Sequence, residues 1–172
     1  MRVLEAPPLV LEPQLAAHAR EMFLVLSDPA IYEFENAPPA SEEALAARYA
    51  KLESRQSPDG TQRWLNWVIR LPSGQLAGYV QATVLADHGA LVAYELGSAH
   101  WRRGIGSAAV SAVLSELSAS YGVMMFAAVL KERNYRSEGM LRKLGFVTAT
   151  AEQFARFGAG PGEAVMVKGC PS

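Results

Sequence analysis

Residues 94–146 read YELGSAHW, RRGIGS, AAVSAVLSELSASYG, VMMFAAVL and, after three residues, NYRSEGMLRKLGF: a strand, a glycine turn, a long helix, a strand and a short helix. The rest of the chain is organised around this stretch. At its centre Arg103-Gly104-Ile105-Gly106-Ser107 sets two glycines and several consecutive N–H groups at the mouth of the helix, a place suited to holding a phosphate. The strand at 123–130 is almost wholly apolar, which implies burial on both faces in the middle of a sheet.

The flanking segments supply further elements. Leu9-Val10-Leu11 reads as a first strand, and Pro13 suits the first turn of a helix running to about Leu26, where a missing N–H would be unpaired in any case. Residues 28–39 break the helical period while keeping two aromatics and three acids, so an ordered loop or a single helical turn is expected, of the kind that lines pockets. Ser41 caps a second helix to about Ser54, with Glu42 and Glu43 at the positive end of its dipole. From Trp64 the period changes to two. Strands at 64–70, 76–85 and 90–98, joined at Pro72-Ser73-Gly74-Gln75 and Asp87-His88-Gly89, form an antiparallel meander. After the helix at 104–120, capped by Gly122, come the strand at 123–130, a short helix at 134–144 stopped by Gly145, a strand from Phe146 and a last strand at 164–168.

The bulk properties narrow the class. The 172 residues suit one domain with one core. With 16 Lys+Arg against 17 Asp+Glu, no global field draws the chain to nucleic acid or anionic lipid, and any anion site must be local. The single cysteine, Cys170, excludes a disulfide framework or a cysteine-built metal centre within one chain, and His18, His88 and His100 have no metal-ligand spacing, so no metal is expected. The longest apolar run falls far short of a membrane helix, and Glu5 stands where a signal peptide needs its apolar core; a cytoplasmic location is the expectation.

Taken alone, Arg-Gly-Ile-Gly between a strand and a helix is a weak motif, and a turn that merely joins the two elements accounts for it equally well. It is neither GxxxxGK[ST] nor GxGxxG, because Ala109 stands where the third glycine belongs, which argues against ATP or NAD. The context adds to it. Trp101-Arg102-Arg103-Gly104-Ile105-Gly106-Ser107-Ala108-Ala109, with Asn134, Ser137, Lys143, Gly145 and Phe146 in the pattern N-x-x-S-x5-K-x-G-F, resembles the GNAT superfamily of acetyl-CoA-dependent N-acetyltransferases. Trp101 and this pattern most resemble the branch containing the ribosomal-protein N-terminal (alanine/serine) acetyltransferases, and the likeness extends over nearly the whole chain.

The resemblance implies an α/β (α+β) fold, a mixed, mostly antiparallel sheet of about six to seven strands flanked by helices and opened near Leu96. It implies acetyl-CoA as cosubstrate, with N–H groups of Arg103, Gly104, Ile105, Gly106, Ser107 and Ala108 on the pyrophosphate and Arg102 adding charge. Leu96 and Gly97 would meet the pantetheine arm, and Asn134 and Ser137 would flank its far side. The acceptor would be a primary amine, on a protein N-terminus or a small molecule, and a homodimer is compatible with the family.

Transfer to an amine requires a deprotonated nitrogen, a polarised carbonyl and a proton for the thiolate. A strand N–H near Leu96 or Gly97 is the candidate polariser. The family's frequent strand glutamate is replaced by Leu91, and Glu95, four residues along the same face, is the candidate base, directly or through water. The family's thiolate-protonating tyrosine is replaced by Leu141, and Ser137 is the candidate substitute, with water as competitor. Tyr32, Glu33 and Glu35 are candidates for acceptor binding, from the poorly patterned stretch 32–39; stretch 153–162 is a second expected acceptor wall. Tyr94 falls on a frequent family tyrosine, and His100 is the histidine nearest the site, where a surface or turn position is expected. An acyltransferase using another acyl-CoA and a CoA-binding sensor without turnover are the rival readings.

Overall fold

A computed structural model describes residues 1–34, 36–158 and 160–170. An eight-stranded sheet runs through it: β1 (Leu4–Ala6), β2 (Leu9–Pro13), β3 (Arg63–Arg70), β4 (Leu76–Val84), β5 (Gly89–Leu96), β6 (Met125–Lys131), β7 (Val147–Thr148) and β8 (Glu163–Gly169), in the spatial order β1-β2-β3-β4-β5-β6-β8-β7. The sheet is mostly antiparallel, as expected, with slightly more strands than expected. β5 and β6 are its parallel pair.

Among the described residues five α-helices flank the sheet: α1 (Ala19–Leu26), α2 (Glu42–Leu52), α3 (Ile105–Tyr121), α4 (Tyr135–Lys143) and α5 (Ala151–Phe157). Strand alternation divides the core. On one face Leu65, Trp67, Ile69, Val80 and Val92 pack with Val110, Val113 and Leu117 of α3. On the other, Val68 and Leu76 pack with Met22 and Leu26 of α1 and with Leu45 and Tyr49 of α2. Among the described residues no helix is long and apolar enough to cross a membrane.

Several local rules hold in detail. The Ser41 hydroxyl accepts from the Ala44 N–H at 3.1 Å and Asn134 Oδ1 accepts from the Ser137 N–H at 3.1 Å, so both helices begin on side-chain caps. Gly122, at φ 64°, ends α3 in the left-handed conformation. Other expectations are corrected. Pro13 does not open a helix; it ends β2 opposite Trp67. Because Gln14 N–H bonds Asn66 O, the preceding Pro13–Trp67 pair lies between ladder hydrogen bonds and the absent N–H is not needed there. The chain then makes a 3-10 turn (Ala16–His18) before α1. Residues 151–157 form α5, whose start is the capping box Thr150–Gln153, and the helix packs Phe157 beside Val165 and Val167 of β8.

Candidate active site

The parallel pairing of β5 with β6 covers only Gly89↔Met125, Ala90↔Phe126 and Leu91↔Ala127. Beyond it the strands separate. Gly97 N–H bonds Ala77 O at 2.9 Å, and Leu85 N–H bonds Gly89 O at 2.9 Å, so the odd-numbered residues of β5 exchange hydrogen bonds with β4. The even-numbered residues Val92, Tyr94 and Leu96 therefore point their main-chain groups toward the gap. Leu96 O accepts the Trp101 indole N–H at 2.8 Å, which leaves the Leu96 N–H as the strand donor directed into the opening. Gly97 is the exception among the expected donors, since its N–H is committed to β4.

The opening belongs to a cavity of about 840 Å³ that runs from the N-terminus of α3 to the underside of α2. At the α3 end the Ala108 N–H closes the first helical turn on Gly104 O at 3.0 Å. The preceding N–H groups of Ile105, Gly106 and Ser107 have no carbonyl one turn back and form the helix's donor-bearing terminus. Gly104 has φ 76°, a left-handed conformation that favours glycine, and open space where a Cβ would lie. Gly106 serves packing instead: a Cβ would stand 3.1 Å from Met140 Sδ of α4. Arg102, Gly104, Ile105, Gly106, Ser107, Asn134 and Ser137 line the cavity, and Arg103, Ala108 and Gly97 do not.

Midway along, the adjacent β5 residues Tyr94 and Glu95 point to opposite faces of the sheet, as strand alternation requires, so the candidates Ser137 and Glu95 fall on opposite sides. On the α4 side Tyr94 Oη is 2.7 Å from Ser137 Oγ. Burial pushes the Tyr94 phenol up to about 12, opposed by that hydrogen bond. Leu141, one turn further along α4, is 1% exposed and belongs to the core, which is why Ser137 is the α4 side chain at this position. On the α2 side Glu95 lies beside Tyr79 on β4, its register partner, and Asn36 Nδ2 donates to its Oε1 at 3.5 Å. Burial, and then the Glu95 carboxylate, push the Tyr79 phenol well above its ordinary value. Tyr32 is held at about 12 by burial, then by Glu95, and donates its hydroxyl to Leu26 O at 2.7 Å. Its ring lines the cavity but its polar atom is engaged elsewhere.

Glu33 is placed differently from its expected role. Its carboxylate bonds Arg136 Nη1 at 2.6 Å, and the guanidinium stacks over Trp101 at 4.8 Å and over Phe34 and Tyr135, each at 5.3 Å. This pairing ties the 33–34 loop to α4, and Glu33 is not among the residues that line the cavity. Glu35, the third expected acceptor residue, lies outside the described residues. Of the stretches expected to meet the acceptor, Phe34, Asn36 and Pro39 do line the cavity. Residues 153–158 do not; Arg156 of α5 is ion-paired with Asp87 at 2.7 Å beyond the far side of β5.

Sequence reading missed the polar wall under α2. Gln14, Tyr49, Asn66, Tyr79 and Gln81 all line the cavity. The available signal was alternation, since Asn66 stands among Leu65, Trp67 and Val68 in a strand whose residues 65–69 are all buried. His100 is also closer to the site than its turn position implied, as it lines the cavity with a buried Nδ1 that has no partner among the described residues.

A search of curated proteins gives no sequence match. Solved structures do share the fold. RimL, a ribosomal L7/L12 alpha-N-protein acetyltransferase in complex with coenzyme A, superposes with TM-score 0.79 at 14% identity, covering 97% of this chain and 97% of that chain. A ribosomal-protein-S5-alanine acetyltransferase from Vibrio fischeri gives 0.75 at 18% identity, covering 97% and 96%. The microcin C7 self immunity acetyltransferase MccE, in complex with acetyl-CoA and AMP, gives 0.74 at 18% identity, covering 94% and 92%. The model of the acetyltransferase (GNAT) domain matches residues 9–147, the span that carries the parted strands and the α3 turn, and the chain belongs to that family.

Proposed function

We propose that the chain is an N-acetyltransferase that moves an acetyl group from acetyl-CoA to a primary amine, on a protein N-terminus or a small molecule, by direct attack. The observation that carries this reading is the gap between β5 and β6, which exposes the Leu96 N–H and ends at the N-terminus of α3. Pyrophosphate is held by the N–H groups of Ile105, Gly106 and Ser107 with Arg102, and the amide-bearing pantetheine arm pairs with Tyr94 and Leu96 as an added strand would. Two of the solved neighbours, one named with coenzyme A and one with acetyl-CoA, support this choice of cosubstrate.

The chemistry divides between the faces of β5. An alkylammonium of pKa about 10 is neutral in roughly one molecule in a thousand at pH 7, so a proton acceptor accelerates attack. Glu95, directly or through water, takes that proton as the amine nitrogen bonds to the thioester carbonyl carbon. The Leu96 N–H stabilises the developing oxyanion. When the carbon–sulfur bond breaks, the thiolate meets the Tyr94–Ser137 hydroxyl pair. Full transfer from a phenol at about 12 to a thiolate of pKa about 8.5 is uphill by about 5 kcal/mol. The pair therefore acts by hydrogen bonding to the thiolate, and the proton that completes the thiol is the second one the nitrogen sheds on becoming an amide, passed on through water.

Incubating the chain with acetyl-CoA and a panel of amines and N-terminal peptides, with thiol detection and product mass, tests the reading. CoA release above the hydrolysis background with an acetylated product is expected. Tight acetyl-CoA binding without release across the panel overturns it in favour of a sensor, and faster release from a longer acyl-CoA reassigns the acyl group.

A further inference from the structure

On the α2 side of the sheet the strand register builds a row that no single segment of sequence contains. Gln14 N–H bonds Asn66 O, Asn66 pairs with Gln81, and Gln81 pairs with Ala93. Since paired residues share a face, three side-chain carboxamides stand side by side across β2, β3 and β4, each about 5 Å from the next. The adjacent row is Val68, Tyr79 and Glu95, which puts Gln81 diagonal to the candidate base at about 7 to 8 Å. Tyr49 of α2 lies over this face.

This wall has unused hydrogen-bonding capacity. Gln14 and Tyr49 are 2% and 4% exposed, and Gln14 Nε2 and Tyr49 Oη are buried without a partner among the described residues. Both residues line the cavity that also holds Glu95. A buried donor without an acceptor is unfavourable, so such atoms mark where a ligand oxygen or a bound water completes the site. The carboxamides are uncharged and both donate and accept. Their complement is a neutral body with hydroxyl or amide groups, whereas a hydrocarbon body would strip water from them and return nothing.

Resting on the acetyltransferase reading, we propose that Gln14, Asn66 and Gln81 with Tyr49 select the acceptor, and that it is a compact primary amine bearing neutral hydroxyl or amide groups on the side of the molecule that enters beneath α2. Two sources share this chemistry: a free amine such as an amino sugar, and a peptide N-terminus with a polar uncharged first side chain.

The test compares kcat/KM at saturating acetyl-CoA, corrected for the fraction of each amine that is unprotonated, for the pairs glucosamine against cyclohexylamine and Gln-Ala-Ala-Ala against Leu-Ala-Ala-Ala. A preference of roughly a hundredfold or more for the polar member of at least one pair is expected, the better pair naming the source. Gln81→Met and Gln14→Met should each reduce that preference about tenfold, chiefly through KM. Gln81 is half-buried, so its variant decides the matter if Gln14→Met fails to fold. Equal use of the hydrocarbon members, or an unchanged preference in Gln81→Met, overturns the inference and leaves acetyl transfer standing. Calorimetry on the CoA-loaded chain separates the reverse case: polar probes that bind Gln81-dependently but are never acetylated overturn the transfer reading and keep the selectivity. Failure of every probe to bind or react overturns both.

Discussion

At the α3 end of the cavity the chain presents main-chain N–H groups, and at the α2 end it presents side chains drawn from four segments. The first region needs little from the sequence beyond a glycine at φ 76° and room for an anion. The second needs Gln14, Asn66 and Gln81 aligned in one row from the end of β2 to β4, with Glu95 of β5 in the adjacent row. A site made of backbone persists through extensive substitution, whereas a site made of side chains changes with each one. On the proposed reading, the contrast separates a cosubstrate end carried by the family's turn from an acceptor end carried by side chains.

Breaking the backbone end should have the largest effect. Gly104→Glu brings a carboxylate beside the place the anion would take, with open space around its Cβ, and should weaken CoA binding by more than about a hundredfold in calorimetry, well beyond the loss in Gly104→Ala, which carries the same left-handed backbone strain without the charge. Retained affinity would remove the turn from the site. Next in size is Glu95→Gln, expected to lower kcat by roughly 10²-fold while acetyl-CoA affinity stays the same. If the rate and its pH profile are both unchanged, the proton acceptor lies elsewhere.

Tyr94→Phe sharpens the comparison, because it removes one hydroxyl of the Tyr94–Ser137 pair and none of the turn. Turnover should fall about tenfold with CoA affinity preserved; an unchanged rate would leave the pair without a part in the chemistry. The same phenol predicts a pH effect on stability. Tyr94 and Tyr32 titrate near 12 in the fold against an ordinary 10, so the folded state favours the protonated phenols. That stabilisation is complete below about pH 10 and is lost as the pH rises toward about 12. Denaturant midpoints should fall over this window in the native chain and fall less steeply in Tyr94→Phe. The smallest effect belongs to Glu33→Gln, which loosens an exposed ion pair and should change amine kcat/KM by no more than about twofold. A large loss would return Glu33 to the acceptor site.

How much of this was legible follows the same division. Strand, turn and helix from β5 to α4 are set by local signals: the glycines, the Asn134 cap and the apolar run of β6. The meander was equally readable from period-two alternation. What escaped was built at a distance. Tyr94 and Ser137 are 43 residues apart, and Glu33 and Arg136 are 103 apart, so neither pairing leaves a mark on its own neighbourhood. Gln14, Asn66 and Gln81 look like three unremarkable amides until the register lines them up. Pro13 misled because proline suits both a helix start and a strand pair that exchanges no hydrogen bond, and only the partner strand decides between them.

The short parallel pairing of β5 with β6 gives the sheet an edge in its interior. Exposed edges join other sheets indiscriminately, and proteins ordinarily shorten, charge or cover them. Here the edge at Tyr94 and Leu96 is recessed between β6, α3 and α4. A second sheet is too broad to reach it, but one thin amide-bearing chain is not. The cleft therefore favours a single extended chain over a second sheet before any side chain contributes, and on the proposed reading that chain is the amide-bearing arm of the cosubstrate.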